Sequence, residues 1–173
     1  LQNSQWMYIN GVVLVSPTDI GIKREGPVKA ANRLPYFAAT AWYHKALNAD
    51  LQAKDLDELL PEVEQFTLNE LIPALAKGGF LAQDEKRRII KKMAEYAGLS
   101  ETFVEQNNLD IPTQFFWKEL LRDRGQTVGR LDSRYLGIDK RDAGDSPDYW
   151  AELTSWLHSF TPAINYYLRE ELN

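Results

Sequence analysis

The sequence predicts a mainly α-helical fold with one short strand or hairpin near the N-terminus. Apolar residues recur at three- and four-residue steps through most of the chain after Pro35, which is the helical period. A single unbroken aliphatic run, Val12-Val13-Leu14-Val15, has the look of a strand instead. Glycine and proline fall between these tracts, where element ends are expected. The 173 residues are 44% hydrophobic and 12% aromatic, enough for one packed domain and too apolar for a disordered tail.

The run from Ile9 to Ser16 closes at Pro17 and fits a strand buried on both faces. It can also be read as a hairpin in which Asn10-Gly11 turns Trp6–Ile9 back onto Val12–Val15. Residues 18–35 read as a loop, punctuated by Gly21, Gly26 and Pro27. From Pro35, which suits a first turn, Tyr36 to Leu47 is apolar nearly all round and predicts an enclosed helix. A second helical tract spans about Asp55 to Lys77; Pro61 can start it, Pro73 must kink or break it, and Gly78-Gly79 ends it.

The next helix is expected from Asp84, as its cap, through Ile89, Ile90, Met93 and Tyr96 to Gly98. Its lysines and arginines between 86 and 92 read as the solvated face of an amphipathic helix. Ser100 caps a short helix with Leu99 and Val104 as a hydrophobic staple. Pro112 opens a helix carrying Phe115, Phe116, Trp117, Leu120 and Leu121, stopped by Gly125. Residues 127–148 read as irregular, and a last helical stretch is expected from Asp148 to Leu172, interrupted near Thr161-Pro162. One strand of the buried type beside so many helices lacks partners for its backbone groups, so the rest of its sheet is expected outside these residues.

Lysine and arginine number 20 against 25 acids, a formal charge of −5. A nucleic-acid binder or a binder of anionic membranes needs a cationic surface, so peptides and small molecules are the expected ligands. With no cysteine, disulfides, thiol catalysis and cysteine-ligated zinc are excluded, and the compartment stays open, a periplasmic or secreted one included. No apolar run approaches the roughly 18–20 residues of a membrane span, and no signal segment opens the chain. Leu1 leads straight into Gln2-Asn3-Ser4-Gln5, so the natural start of the polypeptide is expected upstream.

No Gly-x-Ser-x-Gly nucleophile elbow occurs. Ser16 precedes Pro17, and Ser133 lies in Gly129-Arg130-Leu131-Asp132-Ser133-Arg134, but a catalytic serine also needs an imidazole at hydrogen-bond distance. His44 and His158 sit in aromatic surroundings and read as packing or capping residues. The acidic loop Asp139, Asp142, Asp145, Asp148 misses the calcium-loop spacing, and two isolated histidines do not make a metal motif. Arg122 to Arg130 reads as a positively charged helix end followed by a turn rather than an anion site. The sequence therefore assigns no catalytic, cofactor-binding or metal-binding residue.

Leu34-Pro35-Tyr36-Phe37-Ala38-Ala39-Thr40-Ala41-Trp42-Tyr43-His44, Lys118-Glu119-Leu120-Leu121-Arg122-Asp123 and Val128-Gly129-Arg130-Leu131-Asp132-Ser133-Arg134 resemble the bacterial branch of the serine carboxypeptidase family. Gly11 to Ser16 and Asn165 to Leu172 resemble it in the same order. The resemblance implies an α/β-hydrolase with a helical cap, or insertion subdomain, over the active site, and release of C-terminal residues from peptides. It implies that residues 1–17 are a strand segment of the core, 18–35 a loop, and 36–173 the cap and its return toward the core. The nucleophile elbow and the catalytic Asp and His would then lie outside these residues.

The chain is thus expected to be an inactive cap fragment of a parent peptidase. Trp42, Tyr43 and Trp117 would line the pocket for a peptide substrate, without cofactor, nucleic acid or membrane, and the unpaired strand would offer a dimer contact. A free-standing helical protein–protein interaction module is the alternative.

Overall fold

A computed structural model describes residues 26–172 together with Asn10, Gly11 and Val13. It is mainly helical. The strand or hairpin expected over residues 9–17, and any dimer contact through it, lies outside the described residues apart from those three.

Helix α1 (Val28–Tyr43) starts well before Pro35, so residues 28–34, a loop on sequence grounds, are helical. The reason is burial. Leu34, Phe37, Ala38 and Ala41 form one stripe at helical spacing, each at most 1% exposed, and only a helix that already exists at Leu34 can place all four inward. Pro35 deletes one backbone bond inside that helix. The Arg33 guanidinium offsets this by holding the N-terminal turn to Asp110 at 2.6 Å and to the Ile111 carbonyl at 3.0 Å.

A short helix α2 (Ala49–Gln52), capped by the Asn48 side chain, leads to α3 (Leu56–Phe66), with Asp55 at its N-cap. Pro61 lies inside α3 rather than opening it. The tract continues through a π turn (Thr67–Leu71) into α4 (Ile72–Lys77). The break expected at Pro73 does not occur: the π turn widens the hydrogen-bonded ring just before a residue that has no N–H to donate, and helical dihedrals persist on both sides. Gly78 then stops it, with φ 52° and ψ −123°, a conformation closed to other residues.

Helix α5 (Gln83–Ala97) begins one residue before Asp84, with Ala82 at the N-cap position; Asp84 and Glu85 instead bring negative charge to its first turn. Gly98 ends it in the left-handed region, where a Cβ would sit 3.0 Å from both the Ala41 methyl and the Ala46 carbonyl. Ser100 caps α6 (Glu101–Gln106) by accepting from the Phe103 N–H, and Leu99 and Val104 pack into the core as a staple requires. Pro112 precedes α7 (Thr113–Glu119), and a 3-10 turn (Arg122–Arg124) ends at Gly125.

Residues 127–148 are not wholly irregular. Strands β1 (Thr127–Val128) and β2 (Leu136–Gly137) pair antiparallel, Thr127 opposite Gly137 and Val128 opposite Leu136, the one sheet among the described residues. Gly137 lets the following helix close on the hairpin, since a Cβ there would lie 3.2 Å from the Ala151 Cα. That helix, α8 (Ala151–Ser155), starts three residues later than Asp148, and α9 (Leu157–Tyr166) passes through Pro162 without interruption before a final π turn (Tyr167–Glu171). The break falls at Trp156, whose φ of −115° brings its ring edge-on to Tyr135 at 4.9 Å.

α1 crosses α3 and α5 to make the core, and α7 seals it with Phe116 stacked on Phe37 at 4.0 Å. The hairpin region is fastened from beneath by Lys118, whose ammonium meets Asp139 at 2.6 Å and the Arg141 carbonyl at 2.5 Å; both side chains of the pair are 2% exposed. Removing one partner of such a pair strands a buried charge, at a cost of about 3–5 kcal/mol.

On the far side Tyr96 donates to Glu62 at 2.7 Å, while Lys54 grips the other Glu62 oxygen. Burial and the Glu62 bond push the Tyr96 phenol above its ordinary 10, and the Lys54 and Tyr96 bonds hold the Glu62 carboxyl below its ordinary 4.5. Above pH 10 the unfolded chain gives up the phenolic proton that the folded chain keeps, so the tyrosine's contribution to stability is lost as pH rises. Tyr96→Phe is therefore expected to lower the urea midpoint near neutral pH and to flatten its fall between about pH 9 and pH 11 relative to wild type. Equal slopes for the two proteins would show that the phenol is not held protonated by the fold.

Candidate functional site

The hairpin loop 129–135 is braced from two sides. From α8, the Glu152 carboxylate, 3% exposed, receives the Leu131 N–H at 2.6 Å and the Asp132 N–H at 3.0 Å on the same oxygen. Two successive N–H groups converging on one anion form a small backbone nest. The loop closes on itself through Gly129 N–H to the Tyr135 carbonyl and Tyr135 N–H to the Asp132 carbonyl. Gly129 is obligatory, because a Cβ would run into the Asp132 carbonyl and lie 2.5 Å from Glu152 Oε1. The second Glu152 oxygen is buried without a hydrogen-bond partner among the described residues.

From α1, Tyr36 and His44, two turns apart, both reach Ser133. Tyr36 Oη accepts from the Trp117 indole N–H at 2.8 Å and shares a hydrogen bond with Ser133 Oγ at 2.5 Å, in which either hydroxyl can donate. His44 Nε2 lies 2.6 Å from the Ser133 carbonyl oxygen. A carbonyl only accepts, so Nε2 carries the proton. The fold thus brings the serine and histidine singled out in the sequence to one residue, yet the imidazole is spent on the backbone and the hydroxyl on a tyrosine. That geometry anchors a loop; it does not activate a nucleophile.

Asp132 is also engaged. The Arg134 guanidinium grips both its oxygens, at 2.9 and 2.6 Å, and the Arg134 N–H adds a third bond. First the guanidinium and then that N–H hold the Asp132 carboxyl down at about 2. Arg124 ties down the end of α1 through the His44 and Lys45 carbonyls, and Arg122 binds Glu119 and the Asp142 and Gly144 carbonyls. The positive stretch after α7 therefore completes backbone groups. Asp148 likewise links to Lys140 and Asp139 through N–H groups within its loop. His158 is exposed on α9, and Ser16 lies outside the described residues.

Of the expected pocket residues, Trp42 and Trp117 are half-buried with their indole N–H groups given to the Lys54 carbonyl and Tyr36, and Tyr43 is half-exposed against His44. Cavities beside Leu109 and beside Ser100 are lined by other residues. Sequence reasoning missed Glu152 and Tyr36. The usable signal for Glu152 was a lone acid in the apolar segment Trp150-Ala151-Glu152-Leu153, opposite a loop that begins with glycine.

The other conspicuous surface is α9. Leu157, Phe160 and Ile164 on the helix, and Leu168 in the π turn that continues it, follow one another at three- and four-residue steps, and all are more than half exposed, as is Leu172 beyond them. Helix α5, by contrast, turns Ile89, Ile90 and Met93 inward.

Comparison with protein-family models, curated proteins and solved structures gives no match to this chain. Among the described residues no group of acids and histidines is placed to hold a metal ion, and no helix is long and apolar enough to cross a membrane.

If Glu152 is the brace, Glu152→Ala leaves two loop N–H groups without an acceptor, a loss of about 1–3 kcal/mol. Amide exchange at Leu131 and Asp132 is expected to accelerate strongly while α5 amides keep their relative order of protection. Unchanged exchange at both residues would remove the carboxylate from this role.

Proposed function

We propose that this chain is the helical cap of a serine carboxypeptidase-like hydrolase, and that it covers or shapes the active site of a parent that removes C-terminal residues from peptides. The observation that carries the reading is the α9 stripe. Covering a side chain such as leucine or phenylalanine is worth about 1.5–3 kcal/mol, so a helix that leaves Leu157, Phe160, Ile164 and Leu168 in water is suited to a partner surface. The stripe falls in the segment that, by resemblance, returns from cap to core.

In the parent, a serine activated by histidine attacks the peptide carbonyl, backbone N–H groups stabilise the oxyanion, and the terminal residue leaves. The cap's part is to exclude water and supply pocket walls. Tyr43 has the exposed surface for this, whereas Trp42 and Trp117 can offer only the parts of their rings that the core leaves uncovered. Ser133 and His44 have no catalytic role here, since their mutual geometry is that of a loop anchor.

The same stripe also favours a second reading, a free-standing interaction module that docks a helix or sheet of another protein. The two readings part on chemistry. The 173-residue chain is expected to turn over no blocked dipeptide, while the natural polypeptide containing it reacts with a serine-directed fluorophosphonate at a serine beyond these residues. Turnover by the chain alone would contradict the proposal. So would a natural polypeptide inert to the reagent, which leaves the interaction module or a hydrolase without catalysis.

A further inference from the structure

We infer that Phe80 is a lid for the cavity beside it: the turn Gly78–Phe80 swings so that the ring enters the space between the end of α4, the start of α5 and the end of α6, and this closed form alternates in solution with the open one. Nothing in it depends on the peptidase-cap reading, which uses no residue of this turn.

Phe80 is 97% exposed, more than any other large apolar side chain among the described residues. A ring left in water forgoes the burial that holds the rest of this core together. A space for it lies next to the turn. The cavity has a volume of about 340 Å³ and is walled by Ala74, Leu75, Leu81 and Leu109, with Gly78 and Gly79 themselves in its lining. An apolar cavity of about 150 Å³ is enough to hold benzene, so a phenyl ring fits.

The two glycines show which part of the wall moves. Gly78, with φ 52° and ψ −123°, has to be glycine in the open turn. Gly79 does not: its φ lies outside the left-handed region, and a Cβ built on it meets no atom within 4 Å. Glycine is costly in conformational entropy, and the open turn gives no reason to bear that cost at this position. A second conformation, in which the Gly79–Phe80 peptide reverses and carries the ring from solvent to the cavity, supplies one. The turn is closed by the Leu81 N–H on the Gly78 carbonyl at 3.2 Å, a bond at the surface that water can replace.

The opposite wall is held. Asn108 and Leu109 have φ of 49° and 66°, values that residues other than glycine keep only where their surroundings impose them. The Leu109 N–H reaches the Val104 carbonyl at 3.3 Å, its side chain is 4% exposed, and Arg33 grips Asp110 next to it. Movement therefore falls to the glycine side. Lys86, half-buried in the lining and with no acceptor for its ammonium among the described residues, offers the incoming ring a cation–π contact of the kind that Lys92 makes with Phe66 at 5.5 Å.

The test is NMR of the 173-residue chain with isotope-labelled phenylalanine, leucine and alanine. Nuclear Overhauser contacts are expected from the Phe80 ring to the methyl groups of Ala74, Leu75 and Leu109, none of which is its neighbour in sequence. Gly79→Ala, whose added methyl has free space in the open turn, is expected to keep the fold and lose most of the intensity of those contacts. Xenon enters open apolar cavities, so under xenon pressure the Leu75 and Leu109 methyl signals are expected to shift in Phe80→Ala and to move far less in wild type, where the ring competes for the space.

Absence of every contact between the Phe80 ring and those methyls in wild type, contacts of full intensity in Gly79→Ala, or equal xenon responses of wild type and Phe80→Ala would each overturn the inference. None of these outcomes touches the fluorophosphonate result, which tests the peptidase-cap reading separately.

Discussion

Helix α1 carries the structure because two bodies are built on neighbouring faces of it. One face, Leu34, Phe37, Ala38 and Ala41, is the centre of the helical core and packs against α3, α5 and the Phe116 ring of α7. The next face, Tyr36 and His44, supplies the hydrogen bonds on which the 129–135 loop rests. The requirement that both faces be satisfied fixes the helix's rotation. It also explains why α1 tolerates Pro35: shifting the start to that residue would save one lost backbone bond and give up the burial of Leu34 and the Arg33 tether.

The loop shows how a polar device is set into this frame. A buried carboxylate is costly to desolvate unless it is hydrogen-bonded, and Glu152 meets that condition on one oxygen with two N–H groups from consecutive residues. Lys118 and Asp139 do the same a few residues along, where the chain would otherwise cross above α7 without apolar cover. Side-chain hydrogen bonds thus replace the sheet that the two-residue strands are too short to provide. The loop so held leaves Arg130, Leu131 and Trp150 exposed.

Legibility in the sequence followed the range of the forces. Periodic apolar positions and local stops were readable: α5 with Ile89, Ile90 and Met93, the Ser100 cap, Pro112 before α7, and the glycines at 78, 98 and 125 are local signals, and each stands where the spacing predicts. What failed was decided at a distance. Residues 28–34 are helical because of the core they meet, and the 127–137 hairpin exists because Ala151 and Glu152, distant in sequence, close on it. The prolines mislead in one direction: Pro61, Pro73 and Pro162 read as starts or breaks, yet packing carries the helix through Pro61, a π turn precedes Pro73, and Pro162 lies inside α9. At the loop, Ser133 and His44 were legible as residues, but Tyr36 and Glu152, which decide what those two can do, were not.

The central claim is that the apolar stripe of α9 is an interior surface of a larger hydrolase. Hydroxyl-radical footprinting of Leu157, Phe160, Ile164 and Leu168 in the natural polypeptide, set against the 173-residue chain, tests it directly. The account predicts strong labelling of all four in the isolated chain and protection of all four in the natural polypeptide. Equal labelling in the two would mean that the stripe has no cover of that kind, and the cap assignment would be wrong.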